Sequence, residues 1–82
     1  MNVTIYSTST CTTCKGLMQW FDKQAIKYDL HVVDEEPGGM ATLLAVSDGA
    51  FGVPFTVINM DDGREIKIAG YDIKEFKTAL SL

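Results

Sequence analysis

The residues with the most chemistry to offer are Cys11 and Cys14, separated by Thr12 and Thr13 and the only cysteines in the chain. Thiols at this spacing can hold a metal, staple the fold or exchange electrons. A structural zinc usually takes four ligands. Beyond the pair the chain offers only His31, seventeen residues past Cys14, so a metal within one chain is not expected. A disulfide between the two closes a very short loop, and cross-link stabilisation grows with loop length, so as a staple it does little. A disulfide-built secreted scaffold carries four to eight cysteines. Reversible redox chemistry is the reading that uses the pair best, and two inert, reduced core thiols are the alternative.

That chemistry needs a particular frame. Ser7-Thr8-Ser9-Thr10 is a run of turn and cap formers immediately before Cys11, where a helix should start. Cys11 then sits where unpaired backbone N–H groups and the helix dipole stabilise an anion, which favours the nucleophilic thiolate. Cys14 is one turn further along the same side, with Cβ atoms roughly 5–6 Å apart, close to disulfide geometry. It also lies on the apolar face of the helix, so it should be the more buried thiol and act second, resolving a mixed disulfide formed at Cys11. Lys15 adds a positive charge that either supports the thiolate or is an ordinary solvated helix lysine.

The elements around the pair follow from periodicity. Val3 to Ser7 alternates and is β-rich. The apolar residues Leu17, Met18, Phe21 and Ala25 recur at three- and four-residue steps after Cys14, predicting an amphipathic helix. Tyr28 to Val33 is a second strand with Leu30 and Val32 apolar around His31. Asp34-Glu35-Glu36-Pro37 places carboxylates and a proline ahead of a short helix over about Met40 to Val46, with Met40, Leu43 and Leu44 inward. Val53 to Asn59 and Glu65 to Ala69 are strands around Asp61-Asp62-Gly63, a hairpin signal whose Asp-Gly supplies positive φ. Asp72-Ile73-Lys74-Glu75 is a capping-box pattern with Tyr71 and Phe76 at staple positions, so a last helix runs from Ile73 to about Leu80. The order is β-α-β-α-β-β-α, with the first two strands parallel across their helix and the last two a hairpin. Pro54 opens its strand after Gly49-Ala50-Phe51-Gly52-Val53. Spacing alone favours a trans bond there, although a cis proline beside a redox site would open the Val53 backbone to an extended substrate.

Composition narrows the function. In 82 residues there is room for one domain, spanning 1–82, with 46% hydrophobic and 22% charged residues. The net charge of −4 disfavours a nucleic-acid partner, whose phosphates call for Lys and Arg. The longest nearly apolar stretch, Gly49 to Ile58, is broken by Gly52 and Pro54 and falls short of the about 20 residues of a membrane span. The first basic residue is Lys15, so a secretory start is absent and a cytoplasmic protein is expected.

Taken with the opening Val3-Thr4-Ile5-Tyr6-Ser7, the Cys11-Thr12-Thr13-Cys14-Lys15 segment, Gly52-Val53-Pro54 and Ala69-Gly70-Tyr71-Asp72, the chain resembles glutaredoxins over nearly its whole length. The likeness is greatest to the small NrdH-type redoxins that reduce ribonucleotide reductase. The resemblance implies an α/β, thioredoxin-like fold with a mixed four-stranded sheet. It also implies Cys11 as the attacking and Cys14 as the resolving residue, with a redox-active disulfide between them. Pro54 would be cis, Val53 would offer its backbone to substrate, and Gly70, Tyr71 and Asp72 would border a groove for glutathione or a partner peptide. Thr8 and Ser9 stand where glutaredoxins and many of these redoxins carry a basic residue, and Ala69-Gly70 stands where glutaredoxins often have two glycines. Thr12-Thr13 differs from the Pro-Tyr common in glutaredoxins and the Gly-Pro of thioredoxins. These departures bear on glutathione and leave the dithiol chemistry untouched.

Three functions follow as expectations. The first is a monomeric dithiol redoxin, with no bound cofactor, reduced by thioredoxin reductase and passing electrons to ribonucleotide reductase or another disulfide-bearing protein. The second is a glutathione-dependent glutaredoxin. The third is a dimer module holding zinc or an iron–sulfur cluster between two Cys pairs. Elsewhere, Trp20 is expected to fold over its own sheet edge rather than mark a partner patch. His31 is expected on a strand surface without a carboxylate pair nearby in sequence, and Asp34-Glu35-Glu36 and Asp61-Asp62 as solvated loops.

Overall fold

The computed structural model of the chain describes residues 1–49 and 52–82, so Ala50 and Phe51 of the approach to Pro54 lie outside the described residues. The elements are β1 (Asn2–Ser7), α1 (Thr12–Lys23), β2 (Asp29–Val32), α2 (Gly39–Val46), β3 (Phe55–Asn59), β4 (Glu65–Ala69) and α3 (Ile73–Leu80), in the expected order. The sheet runs β2-β1-β3-β4, with β1 parallel to β2 and antiparallel to β3, and β3 antiparallel to β4.

β1 lies between two strands and beneath helices on both faces, which is why its side chains are buried in both directions. Val3 and Ile5 join Ile58 and Ile68 under Leu17 and Phe21 of α1 and Phe76 of α3. Tyr6 joins Val33, Phe55 and Val57 around Leu43 of α2 on the other face. Phe21 and Phe76 meet edge to face at 5.3 Å. Trp20 folds onto this group, its ring 5.2 Å from Phe21 and 5.9 Å from Phe76, as expected of a flank residue covering its own core.

Several local expectations are corrected. α1 ends at Lys23, and Ala25 is exposed with φ +57. Its N–H reaches Asp22 O while the Ile26 N–H reaches Phe21 O, both at 3.1 Å, a Schellman termination with alanine in the left-handed position that glycine usually takes. Ile26, rather than Ala25, packs against the core. Leu30 is 40% exposed because β2 is an edge strand and Leu30 stands outside the cluster beneath α1 and α3, whereas Val33 just beyond the strand is buried. Met40 is exposed too, leaving Leu43 as the fully buried side chain of α2. No acidic residue lies in the first turn of α2, whose N-cap is Gly38 in the left-handed region, and Pro37 precedes that cap. At the hairpin only Gly63 has positive φ, +92. Met60 donates to Arg64 O at 2.8 Å and Gly63 to Met60 O at 3.1 Å, a three-residue loop closed by a glycine bulge rather than a two-residue turn. Asp72 does cap α3, accepting from the Glu75 N–H at 3.2 Å, but Tyr71 is 40% exposed and lies across Gly16 of α1.

Gly39 is where α2 touches the sheet. A Cβ there would sit 2.4 Å from Val33 O and 2.7 Å from Val33 Cα, so backbone meets backbone. Gly39→Ala should therefore lower stability although alanine is the better helix former by about 1 kcal/mol. Ala25→Gly should raise it by up to about 1 kcal/mol by relieving the left-handed alanine. Urea unfolding of the two variants reads both signs, and a gain for Gly39→Ala would contradict the close approach.

Candidate active site

The site begins where β1 ends. Ser7 is buried at 2% exposure, and the chain then turns, the Cys11 N–H bonding Thr8 O at 3.3 Å. Cys11 is the N-cap of α1, with extended φ −84 and ψ 103, and its Sγ accepts the Cys14 N–H at 3.1 Å. The capping role that Ser, Thr, Asp or Asn usually fills is thus taken by the sulfur. A disulfide joins Cys11 to Cys14 across a Cα separation of 5.3 Å. Cys11 is partly exposed and Cys14 only 1% exposed, so the second cysteine is the more buried of the two, as the helix pattern requires. Backbone N–H groups at a helix N-terminus favour negative charge on a sulfur placed there.

The other expected site residues gather at the same edge of the sheet. Register pairs Tyr6 with Phe55, which sets Pro54 beside the end of β1. The Val53–Pro54 bond is cis, as the resemblance implied. Gly70, with φ +82, donates its N–H to Pro54 O at 2.8 Å, tying the end of β4 to the start of β3. A Cβ on Gly16 would lie 2.9 Å from Tyr71 Cε2, so the bare helix surface there, two residues past Cys14, seats the Tyr71 ring. Asp72 follows as the exposed cap of α3. Lys15 is exposed. A surface depression lined by Met1, Asp22, Ile26 and Tyr28 lies at the opposite end of β1, away from this chemistry.

The acidic run after β2 is where the expectations miss most. Asp34 accepts from Ser9 twice, from the backbone N–H at 3.0 Å and from Oγ at 2.6 Å. The parallel register explains the meeting: Ser7 pairs with Val32, so the two chains run on side by side and bring Ser9 to Asp34. Glu36 turns to His31, its oxygens 3.0 and 3.1 Å from Nδ1, while the imidazole stacks on Tyr6 at 5.3 Å. His31 therefore does have a carboxylate partner, five residues on. Among the described residues no group of three His, Cys, Asp or Glu is arranged to hold a metal ion, and no helix is long and apolar enough to cross a membrane.

A protein-family model described as Glutaredoxin matches residues 3–62. No curated protein matches the sequence. Among solved structures, a glutaredoxin from Archaeoglobus fulgidus superposes with a TM-score of 0.76 at 20% identity, covering 96% of this chain and 85% of that one. NrdH-redoxin from Escherichia coli gives 0.73 at 19% identity, covering 95% and 93%. Buckwheat glutaredoxin, in a complex with glutathione, gives 0.69 at 26% identity, covering 96% and 69%. These likenesses establish the thioredoxin-like α/β fold.

The Ser9 hydroxyl, and then its backbone N–H, hold the Asp34 carboxyl below its ordinary pKa. A depressed carboxylate stabilises the fold above its unfolded pKa, and that contribution disappears as pH falls through the folded one. Ser9→Ala should move the Asp34 titration midpoint upward, toward the ordinary carboxylate value. A carboxyl-detected NMR titration measures it, and an unmoved midpoint would remove the hydroxyl from the clamp.

Proposed function

Because the chain belongs to the glutaredoxin family and carries the Cys11–Cys14 pair of a disulfide oxidoreductase, we propose that it works as a dithiol redoxin. In this reading it takes electrons from thioredoxin reductase and delivers them to ribonucleotide reductase or another disulfide-bearing protein. The observation that carries the proposal is the graded exposure of two joined sulfurs at a helix N-terminus. In the reduced protein the Cys11 thiolate attacks one sulfur of the acceptor disulfide and forms a mixed disulfide, while the acceptor's other sulfur leaves as a thiolate and takes a proton. Cys14 then gives up its proton and attacks Cys11 Sγ. The second acceptor thiol departs, and the Cys11–Cys14 disulfide closes with two electrons delivered. Val53 and Pro54 supply the backbone edge against which an extended acceptor segment lies, and Gly70, Tyr71 and Asp72 form the other wall. The proposal has residues 1–82 act as one monomeric domain in the cytoplasm.

Thr8 and Ser9 supply hydroxyls ahead of Cys11 where an anionic tripeptide calls for a cation, and Asp34 adds a carboxylate there. This supports the reductase over glutathione as the electron source. The Escherichia coli redoxin is described as a glutaredoxin-like protein with a thioredoxin-like activity profile, which accords with the same choice. The second reading, a glutathione-dependent glutaredoxin, draws on Val53 and Asp72 lying at the same edge and on the buckwheat protein having been solved with glutathione.

Two measurements test the proposal. Cys14→Ser should accumulate a stable mixed disulfide with a model acceptor, and Cys11→Ser should be inert; trapping through Cys14 in Cys11→Ser would reverse the roles. In a coupled assay, NADPH with thioredoxin reductase should reduce the Cys11–Cys14 disulfide efficiently and millimolar-range glutathione poorly. A cation-to-hydroxyl change at one contact with a charged group removes roughly 1.5–3 kcal/mol, about one to two factors of ten in binding. Robust turnover with glutathione and none with the reductase would establish the second reading instead.

A further inference from the structure

We propose that Asp34 sets the charge of the disulfides this protein accepts, favouring those flanked by cationic groups and disfavouring anionic ones. The inference rests on the dithiol reading above and specifies its substrate class.

Asp34 is exposed, follows β2 and belongs to neither the helix that carries the cysteines nor the loop that precedes them. Its two oxygens are nonetheless committed to Ser9, one to the backbone N–H and one to Oγ. Ser9 is two residues before the attacking cysteine, a span of at most about 7 Å. Adding the Ser9–Asp34 hydrogen bond and the reach of the cysteine side chain puts the carboxylate at most about 15 Å from the reacting sulfur, well inside one Debye length at 0.01 M salt, roughly 30 Å. Both bonds are donated to the carboxylate, so the clamp favours its ionised form. Glu36, two residues on, is engaged by His31, whose ring stacks on Tyr6. The cation nearest in sequence to the pair is Lys15, which is exposed on α1, past the motif, while Asp34 occupies the approach before it.

The attack at Cys11 adds a thiolate to a disulfide and expels a thiolate, so negative charge is conserved along the reaction. Flanking ammonium groups are attracted to the Asp34 carboxylate as the disulfide approaches, and flanking carboxylates are repelled. Such a rim suits an acceptor whose disulfide lies in a basic segment.

The test uses the reduced protein and three small alkyl disulfides, whose differing leaving-group acidities cancel when the variant is compared with the wild type: cystamine, a dication; bis(2-hydroxyethyl) disulfide, neutral; and 3,3′-dithiodipropionate, a dianion. Oxidation of the pair is followed under pseudo-first-order conditions for the wild type and Asp34→Asn, at low and high salt. Asparagine keeps an oxygen to accept the Ser9 N–H and removes the charge. At low salt the cystamine-to-dithiodipropionate rate ratio should fall by about three- to tenfold in Asp34→Asn, with the neutral disulfide within about twofold of the wild type. In the wild type alone, added salt should lower the same ratio, a readout that needs no folded variant. An unchanged ratio in Asp34→Asn, an equal loss of rate on all three disulfides, or a salt-independent ratio in the wild type would overturn the assignment. Failure of the wild type to react with the neutral disulfide would instead overturn the dithiol reading on which it rests.

Discussion

The helix α1 begins at a cysteine whose sulfur satisfies one of its first N–H groups, and that constraint organises this molecule. The Cys11 Sγ accepts the Cys14 N–H at 3.1 Å, so the atom that caps α1 is also an atom of the redox bond. Capping and reactivity draw on the same backbone dipoles: groups that would otherwise be orphaned at the helix end stabilise charge on the sulfur when the pair is reduced. The end of the helix must consequently stay in place while the bond at its tip opens and closes. Leu17 and Phe21, both fully buried, anchor the shaft of α1 on β1 and β3, and Trp20 closes over the side of that contact.

The sheet provides the rest of the frame by bringing distant segments to one edge. Parallel pairing of β1 with β2 sets their C-terminal ends side by side, and antiparallel pairing with β3 brings Pro54 to the same level. The end of β4 returns there and is tied to Pro54 by the Gly70 N–H. Close approaches need bare backbone at two points. Gly39 lets α2 lie on Val33, and Gly16 leaves room for Tyr71 on α1. The first is rigid, since backbone opposes backbone, whereas the second is opposed only by the end of an exposed side chain that can swing aside. Packing is therefore less tolerant beneath α2 than where Tyr71 lies on α1.

Charge is distributed unevenly in use as well as in number. The chain carries 11 acidic and 7 basic residues, and the acids after β2 act as tethers more than as a solvated run. Asp34 fixes the loop before Cys11, while Glu36 holds His31 against Tyr6. Asp62 does comparable work at the far hairpin, where the Arg64 backbone N–H and guanidinium hold its carboxyl below the ordinary value. Exposed pairs of this kind add little to global stability. Their effect is local, on which loop conformation is populated.

Local interactions were readable from the sequence because they depend on residues a few positions apart. The Cys11–Cys14 spacing, the apolar stripe through Leu17 and Phe21, the Asp72 cap and the Asp-Gly turn signal all act within about one helical turn or one hairpin loop, and the order of strands and helices followed from them. The cis bond at Pro54 was legible only through resemblance, since spacing by itself favours trans. The exposure of Leu30 and Met40 was not legible, because periodicity says which side chains share a face and not whether a second layer extends over an edge strand or a short helix. Nor was the left-handed Ala25, which continues the apolar stripe in sequence but ends the helix in space. The pairing of Ser9 with Asp34 needed the β1–β2 register, an offset between segments separated by a whole helix. That offset is set by how α1 packs on the sheet, so only the tertiary structure could decide which acidic residue would meet Ser9, two residues before Cys11.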